Sequence, residues 1–278
     1  MNLLKAILFG IIEGITEWMP ISSTAHMKIL NIFVPLDVSP EFYGVFEVVI
    51  QLGAILALLL VFWNKVWPFG QSKNPLGKGI LSYVKKDKFA LWIKIMVACL
   101  PVIVFELFLD DLFTFINESN EMTFIGIDMI LVGIIFIVVE FLIRGKKPKV
   151  NSTRQITLTM ALIIGLAQLV AAVFPGVSRS GATIIAALLL GISRPAATEF
   201  SFEVAIPVMF GASLMEILDL EVAVTFYEIL TLLVGCVTAF IVSLFMINFV
   251  LNYIKKNTFV IFGIYRILMG IIILLFLR

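Results

Sequence analysis

The chain has 278 residues, of which 61% are hydrophobic and 14% are charged, and its mean hydropathy is +1.12. Soluble domains are roughly 45–50% apolar and about 25% charged, so this composition excludes a water-soluble protein and predicts a polytopic membrane protein. Twenty basic and nineteen acidic side chains leave a formal net charge of +1. We therefore expect no nucleic-acid partner, because no strong positive field covers the molecule. Cys99 and Cys236 lie in apolar runs and are predicted to be buried free thiols.

The first predicted element is an apolar stretch over residues 3–32 that is interrupted at Pro20. Its arms, 3–18 and 21–32, are about 18–24 Å long as helices, and a bilayer core of about 30 Å is too thick for either of them. The stretch is predicted to be a re-entrant helical hairpin that enters from the outer side. Six later segments have the length and apolar character of single membrane spans: 42–63, 90–109, 122–143, 199–218, 224–251 and 258–277.

The charges between the predicted spans separate into two kinds of loop. Lysine and arginine dominate residues 64–89, 144–155 and 252–257, whereas acidic residues dominate 110–121 and 219–221. The positive-inside rule places the three basic loops in the cytoplasm and the two acidic loops outside. These five assignments alternate along the chain, as a correct set of spans requires.

Residues 156–193 form a second interrupted stretch, with a break at Pro175 and a short second arm at 181–193. Arg154 precedes this stretch and Arg194 follows it, and both are predicted to lie on the cytoplasmic side. The stretch must then enter and leave by the same face. It is predicted to be a second re-entrant hairpin, opposite in direction to the first.

Two sequence matches relate the halves of the chain. Gly10, Glu13, Pro20 and Ser23 match Gly165, Gln168, Pro175 and Ser178 at a spacing of 155, and residues 46–50 match 202–206 at a spacing of 156. Each half would contain one hairpin and three spans, and three is odd, so the second half would be inserted upside down. The prediction is an inverted-topology repeat of 1–143 and 156–278, with a site near mid-membrane where the hairpins meet. Chance similarity between apolar sequences is the alternative.

Four ionisable side chains lie in the two hairpins: Glu13, Glu17, His26 and Arg179. A charge inside the bilayer costs roughly 2.5–3.5 kcal/mol, so these groups should neutralise one another, bind ions or line water. Glu13 and Glu17 are four residues apart and share one helix face. Their carboxylates are candidate ligands for Mg²⁺ or Ca²⁺, with phosphate oxygens completing the shell. Salt bridges to neighbouring lysine or arginine side chains are the alternative.

The first hairpin tip contains three consecutive hydroxyl residues after Pro20, namely Ser22, Ser23 and Thr24. One of them is predicted to cap the second arm, and together they would offer hydroxyls and free backbone N–H groups to an anion. His26 is the only histidine in the chain and follows Ser23 by three residues. This spacing predicts a hydroxyl–imidazole contact.

The second hairpin tip combines glycine, serine and arginine in the order Gly176, Ser178, Arg179, Ser180 and Gly181. Glycine permits close backbone approach, serine supplies donors, and the arginine fork suits phosphate. No Gly-Lys-Ser/Thr sequence is present, so a nucleoside triphosphate is not indicated. The two tips together predict an anion site with a cation and one imidazole, which is typical of phosphate chemistry.

With these motifs, the whole chain resembles the undecaprenyl-diphosphate phosphatases of the bacitracin-resistance type. The resemblance implies an enzyme of the bacterial inner membrane that hydrolyses a C55 isoprenoid diphosphate, recycles the carrier lipid for cell-wall polymers and confers bacitracin resistance. It also implies dependence on a divalent cation and an active site that opens to the extracytoplasmic side. The motifs are Glu13-Gly14-x-x-Glu17-x-x-Pro20-x-Ser22-Ser23-Thr24-x-His26, Phe46-Glu47-Val48-Val49-Ile50-Gln51-Leu52-Gly53 and Pro175-Gly176-x-Ser178-Arg179-Ser180-Gly181.

The resemblance also implies roles for the tip residues. The acidic residues would be Glu13 and Glu17, the hydroxyl cluster Ser22, Ser23 and Thr24, a catalytic residue His26, and the diphosphate binder Arg179. In the mechanism that we expect, either Ser23 attacks with His26 as base, or His26 activates water. One position departs from the family, because Glu203 stands where an apolar residue is expected.

A transporter or flippase of a phosphorylated lipid is the main alternative function, because inverted repeats with re-entrant tips are common in transporters. The carboxylates and the imidazole would then relay protons or cations, and Arg179 would clamp an anionic substrate. The hydroxyl cluster favours hydrolysis, because transport needs no nucleophile. Whether the protein forms a homodimer is left open.

Overall fold

The computed structural model describes residues 1–71, 74–108, 121–174, 176–220 and 223–277. Regular structure in these ranges is helical, with no named β-strand. The described α-helices are α1 (Asn2–Thr16), α2 (Ser23–Phe33), α3 (Pro40–Val49), α4 (Gln51–Val66), α5 (Lys86–Phe108), α6 (Glu121–Ile143), α7 (Leu158–Val173), α8 (Arg179–Leu189), α9 (Arg194–Leu218), α10 (Phe226–Ile254) and α11 (Val260–Phe276).

Five helices in the described part of the chain are long and apolar enough to cross a membrane: α3 and α4 taken together, α5, α6, α9 and α10. Large apolar side chains cover their outer faces; Phe141 is 74% exposed and Phe245 is 73% exposed. Such a surface is favourable in contact with lipid and unfavourable in contact with water. The all-α polytopic fold is therefore confirmed. The sixth predicted span, 258–277, corresponds to α11, which has 17 residues, and its crossing of the membrane stays a prediction.

The predicted span at 42–63 differs from expectation because its helical hydrogen bonding is interrupted at Ile50. Helix α3 ends at Val49, and α4 begins at Gln51. The N–H of Gly53 donates to the carbonyl of Ile50 at 3.1 Å, a three-residue spacing that tightens the chain at the junction.

Both interrupted stretches fold as pairs of short helices that break near the predicted tips. Helices α1 and α2 have 15 and 11 residues, and α7 and α8 have 16 and 11. At about 1.5 Å per residue, the lengths are roughly 16–24 Å, shorter than a bilayer core. Pro175 lies outside the described residues. That each hairpin leaves the membrane by the face through which it entered stays a prediction.

Longer helices pack against α1, α7 and α8, and α2 packs against α1. Helix α1 packs along α10, α7 packs along α5, and α6 packs along α11. Helix α9 lies between α4, α5 and α8. The ring of Trp18, just before the first tip, meets that of Phe202 on α9 edge-to-face, with centroids 5.0 Å apart. Under the predicted repeat, the pairs α1–α10 and α7–α5 correspond; the inverted repeat itself remains a proposal.

The loop charges are only partly described. Of the predicted outer acidic residues, those at 110, 111, 118 and 221 lie outside the described residues, and Glu121 is the first residue of α6. Cys99 is buried and Cys236 is half-buried, and both are free thiols. The cytoplasmic or external side of each loop stays a prediction.

Candidate active site

The two hairpin tips meet through an ion pair between residues 162 positions apart. The Arg179 guanidinium, at the start of α8, donates to Oε1 of Glu17 at 2.5 Å. Glu17 follows the last residue of α1, and 7% of its surface is exposed. Two charges that would each be costly in an apolar slab neutralise each other here. The salt bridge that the sequence left open for Glu17 is formed, and the partner is the arginine of the opposite tip.

Glu17 also connects to the hydroxyl cluster of its own tip. The hydroxyl of Ser23 donates to Oε2 of Glu17 at 2.6 Å. The same guanidinium nitrogen of Arg179 lies 3.1 Å from the sulfur of Met209 on α9. A charge-assisted bond from a hydroxyl to a carboxylate is strong and directional. Glu17 thus bridges a potential nucleophile and a cation.

A cavity of about 240 Å³ lies between the tips. Its volume is below the range of about 300–1,000 Å³ typical of drug-sized sites, which suits a headgroup whose long tail stays outside. Seven of the predicted site residues line it, together with Gln51, Ala171 and Val177. Those seven are Glu17, Ser22, Ser23, Thr24, Ser178, Arg179 and Ser180.

Serine caps hold both tips in place. The hydroxyl of Ser22 accepts the N–H of Ala25 at 3.4 Å, and that of Ser178 accepts the N–H of Gly181 at 3.2 Å. Ser22 has a φ of 70°, the only positive φ of a non-glycine residue in the ranges described. Strained backbone of this kind concentrates at functional sites. The hydroxyls of Ser178 and Ser180 are 2.9 Å apart and complete a row of polar atoms.

The predicted contact between His26 and Ser23 is wrong. The Nδ1 of His26 lies 2.7 Å from the carbonyl oxygen of Ser22, and Nε2 lies 2.6 Å from the hydroxyl of Tyr265. The His26 and Tyr265 rings are nearly parallel, at 8°. Spacing of three residues brings two positions together, but each side chain has a better partner elsewhere, because Ser23 faces a carboxylate and His26 faces α11. His26 does not line the cavity.

Glu13 does not line the cavity and is fully buried. Neither of its carboxylate oxygens has a hydrogen-bond partner among the residues described. The salt bridge considered for Glu13 is therefore not formed. No three His, Cys, Asp or Glu side chains converge within the described ranges, so Glu13 and Glu17 alone do not complete a metal shell. An orphaned buried carboxylate one turn from Glu17 fits a cation that also binds oxygens from a ligand.

The two predicted glycines lie outside the cavity lining. The N–H of Gly176 donates to Oδ2 of Asp128 at 3.2 Å, and a Cβ at Gly176 would lie 2.5 Å from the Cβ of Asp128. Glycine is required there because the tip lies directly against α6. Gly181 lies in the first turn of α8 and donates to the cap Ser178. Both glycines shape the second tip.

One side chain that contacts both tips was not among the predicted site residues. Arg266, on α11, is fully buried and donates to the carbonyl oxygen of Pro20 at 3.2 Å and to that of Gly176 at 2.9 Å. Asp128 on α6 holds the same tip through the Gly176 N–H. Both are ionisable residues within apolar helices, which was the available signal. The sequence prediction named ionisable residues of the two hairpins only, and α6 and α11 lie outside them.

Residues 6–272 match the family model of the bacitracin resistance protein BacA. An undecaprenyl-diphosphatase of Desulfitobacterium hafniense is 49% identical over 275 residues, which cover 99% of this chain and 96% of that protein. Undecaprenyl-diphosphatases of Lachnoclostridium phytofermentans and Enterococcus faecalis are 49% and 46% identical, covering 98% and 99% of this chain and 96% of each relative. The similarity includes both tips.

Proposed function

The chain belongs to the bacitracin resistance protein BacA family, and on this premise we propose that it hydrolyses undecaprenyl diphosphate to undecaprenyl phosphate and inorganic phosphate. This reaction would recycle the carrier lipid for peptidoglycan and other cell-wall polymers and so confer bacitracin resistance. The single observation on which the site assignment rests is the contact between Glu17 and Arg179 across the two tips. Together with Ser23, these two residues line one headgroup-sized cavity.

Arg179 would bind the diphosphate. Its guanidinium has five N–H donors, and only one terminal nitrogen contacts Glu17, so the others can bind phosphate oxygens. Ser178 and Ser180 supply hydroxyls, and the N-terminus of α8 adds a favourable dipole for an anion. These groups would offset the charge that develops as the phosphoryl group is transferred.

Ser23 would be the nucleophile, with Glu17 as its base. The hydroxyl already donates to Glu17, so the proton can pass to that carboxylate as Ser23 Oγ attacks the terminal phosphorus. The bond from that phosphorus to the bridging oxygen breaks, and undecaprenyl phosphate leaves with that oxygen, which takes the proton from Glu17 and restores the carboxylate. Water then hydrolyses the phosphoserine, releases inorganic phosphate and restores the serine hydroxyl. The geometry favours this route over His26 as base, because His26 is bonded to Ser22 and Tyr265.

A divalent cation, Mg²⁺ or Ca²⁺, would be held by Glu13 and Glu17. The support is the buried carboxylate of Glu13, which lacks a partner in the described part of the chain. When bound, the ion would neutralise phosphate charge and orient the headgroup. We expect Glu13→Gln to raise the Mg²⁺ concentration needed for half-maximal phosphate release about tenfold or more. An unchanged requirement would remove Glu13 from the cation site.

The protein would lie in the bacterial plasma membrane, with its active site open to the extracytoplasmic side. The basic loops predicted to be cytoplasmic support this orientation. Its partners would be the isoprenoid diphosphate, which enters from the lipid phase, and the membrane lipid around the protein. We expect no nucleic-acid partner.

Phosphate release from purified protein tests the proposal directly. The protein in detergent is given undecaprenyl diphosphate, and inorganic phosphate is measured. We expect turnover that falls by at least 10²-fold in Arg179→Ala and is unchanged in Arg144→Ala, an exposed arginine outside the site. A flippase would move the lipid between leaflets without releasing phosphate, and that result would overturn the enzymatic assignment.

A further inference from the structure

A cavity of about 530 Å³ lies where α6, α8 and α10 end, and it shares no lining residue with the active-site cavity. Its walls are the last turn of α6 with the segment after it, the turn between α8 and α9, and the turn between α10 and α11. Because α6 and α10 are long enough to span the membrane, a cavity at their ends lies near a membrane surface. The sequence predicts this surface to be the cytoplasmic one.

Positive side chains dominate the lining of this cavity. Five exposed lysines line it, and none of them belongs to an ion pair of the described residues: Lys146, Lys147, Lys149, Lys255 and Lys256. No aspartate or glutamate occurs among the described residues that line it. We call it the lysine cavity.

The sixth cation of the lining, Arg194, is already neutralised. Its Nε donates to Oε1 of Glu140 on α6 at 2.8 Å, and one of its terminal nitrogens binds Oε2. The same Oε1 accepts the N–H of Phe259, just before α11, at 2.9 Å. Glu140 is buried and does not line the cavity. This carboxylate ties three walls of the cavity together, and it leaves the five lysines without a negative partner in the part of the chain that the structure describes.

The segment that carries three of the lysines is held by backbone hydrogen bonds. The N–H of Lys149 donates to the carbonyl oxygen of Gly191 at 2.8 Å, and the N–H of Ser193 donates to that of Val150 at 2.8 Å. Gly191 has a φ of 81°, which lets the turn between α8 and α9 present this carbonyl to the segment. The wall is therefore formed before any ligand arrives, which lowers the entropic cost of binding.

Exposed apolar side chains also line the lysine cavity. Leu142 on α6 is 51% exposed, and Leu189 on α8 is 58% exposed. A ligand that matches the whole cavity has a negative headgroup for the lysines and an apolar part for the leucines. A free phosphate ion would match only the lysines.

We propose that the lysine cavity binds an anionic membrane phospholipid, with its headgroup on the lysines and its acyl chains against α6 and α8. Charge complementarity supports this occupant, because lysine ammonium groups bind phosphate oxygens and basic pockets between membrane helices bind anionic headgroups. The bound lipid would connect the segment after α6 with the turn between α10 and α11. Binding does not depend on the proposed hydrolysis, because no residue of the active-site cavity takes part.

Native mass spectrometry of the purified full-length protein in a neutral detergent tests the site. The protein is titrated with phosphatidylglycerol or with phosphatidylcholine of the same acyl chains, so that only the headgroup differs. We expect the Kd for phosphatidylglycerol to be at least about tenfold lower. Replacing one lysine from each wall, in Lys147→Gln/Lys256→Gln, should raise that Kd about ten- to thirtyfold.

Two control variants separate the cavity from net charge and from side-chain length. Lys147→Arg/Lys256→Arg keeps both positive charges and should bind phosphatidylglycerol within about threefold of wild type. Lys78→Gln/Lys86→Gln removes two exposed lysines of another basic loop, which do not line the cavity, and should bind within about twofold.

Three results would overturn the proposal. Equal Kd values for the two phospholipids would mean that apolar contact alone holds the lipid. Equal losses in Lys147→Gln/Lys256→Gln and Lys78→Gln/Lys86→Gln would mean that net charge matters and the cavity does not. Complete displacement of phosphatidylglycerol by an equal concentration of inorganic phosphate, or of undecaprenyl phosphate, would assign the lysines to a free anion or to the isoprenoid lipid instead.

Discussion

The two hairpin tips are built alike and contribute opposite charges. Each has a serine that caps the following helix, Ser22 in the first and Ser178 in the second. The first supplies the carboxylate and the hydroxyl that contacts it, whereas the second supplies the guanidinium and a pair of serine hydroxyls. Either tip alone would leave a charge exposed to lipid, which is costly. The contact that neutralises the charges therefore also assembles the site, so stability and chemistry depend on the same atoms.

Removing the charge of the first tip should have the largest effect. Glu17→Gln takes away both the proton acceptor of Ser23 and the partner of Arg179. We expect kcat for phosphate release to fall by about 10³–10⁴-fold. The measurement is steady-state phosphate release, with Glu41→Gln as a matched exposed control. Activity within tenfold of wild type would contradict the assignment of Glu17 as the base.

Removing the nucleophile of the first tip should cost slightly less. Ser23→Ala leaves the ion pair intact and is expected to lower kcat by about 10³-fold. Rapid acid quench with ³²P-labelled substrate should reveal a phosphoprotein in the wild type and none in this variant. Thr24→Ala is the matched control, because Thr24 is the neighbouring hydroxyl residue and also lines the cavity. A phosphoprotein that persists without Ser23 would eliminate the serine route.

Keeping the charge of the second tip but changing its shape should have an intermediate effect. Arg179→Lys preserves the positive charge near Glu17 but loses the planar fork. We expect kcat/KM to fall by about 10²-fold, which is a smaller loss than in Arg179→Ala, while the Tm stays within a few degrees of wild type, because the ion pair can re-form. Equal losses in Arg179→Lys and Arg179→Ala would show that fork geometry matters more than charge.

Loss of the contact between His26 and Tyr265 should have the smallest effect on kcat. Tyr265→Phe removes the hydroxyl bound to His26 without changing any cavity-lining residue. We expect about a three- to tenfold loss of kcat, with a smaller loss in Tyr43→Phe, whose hydroxyl only reaches the carbonyl of Met27 at 3.4 Å. A loss above 10²-fold would instead place the His26–Tyr265 pair in the chemical step and would restore His26 as base.

Much of the fold was predictable because lipid imposes simple rules. Span length, apolar composition and the interruptions near Pro20 and Pro175 led to the helix pairs, and the cost of buried charge led to the Glu17–Arg179 contact. Seven cavity residues were also anticipated from the tip motifs. The prediction was wrong about the partner of His26, because spacing along a helix defines a face but not which neighbour lies across from it.

The sequence by itself determined the membrane class of the protein, the positions of its helix breaks and the choice of charged residues for a site, since hydropathy, proline and the cost of burying charge act locally. Only the tertiary structure decided that Ser23 faces Glu17, that His26 faces Tyr265, and that Arg266 ties the two tips together. The reason is that each side chain takes its best partner among groups brought close by packing, and those groups come from helices far away in the chain.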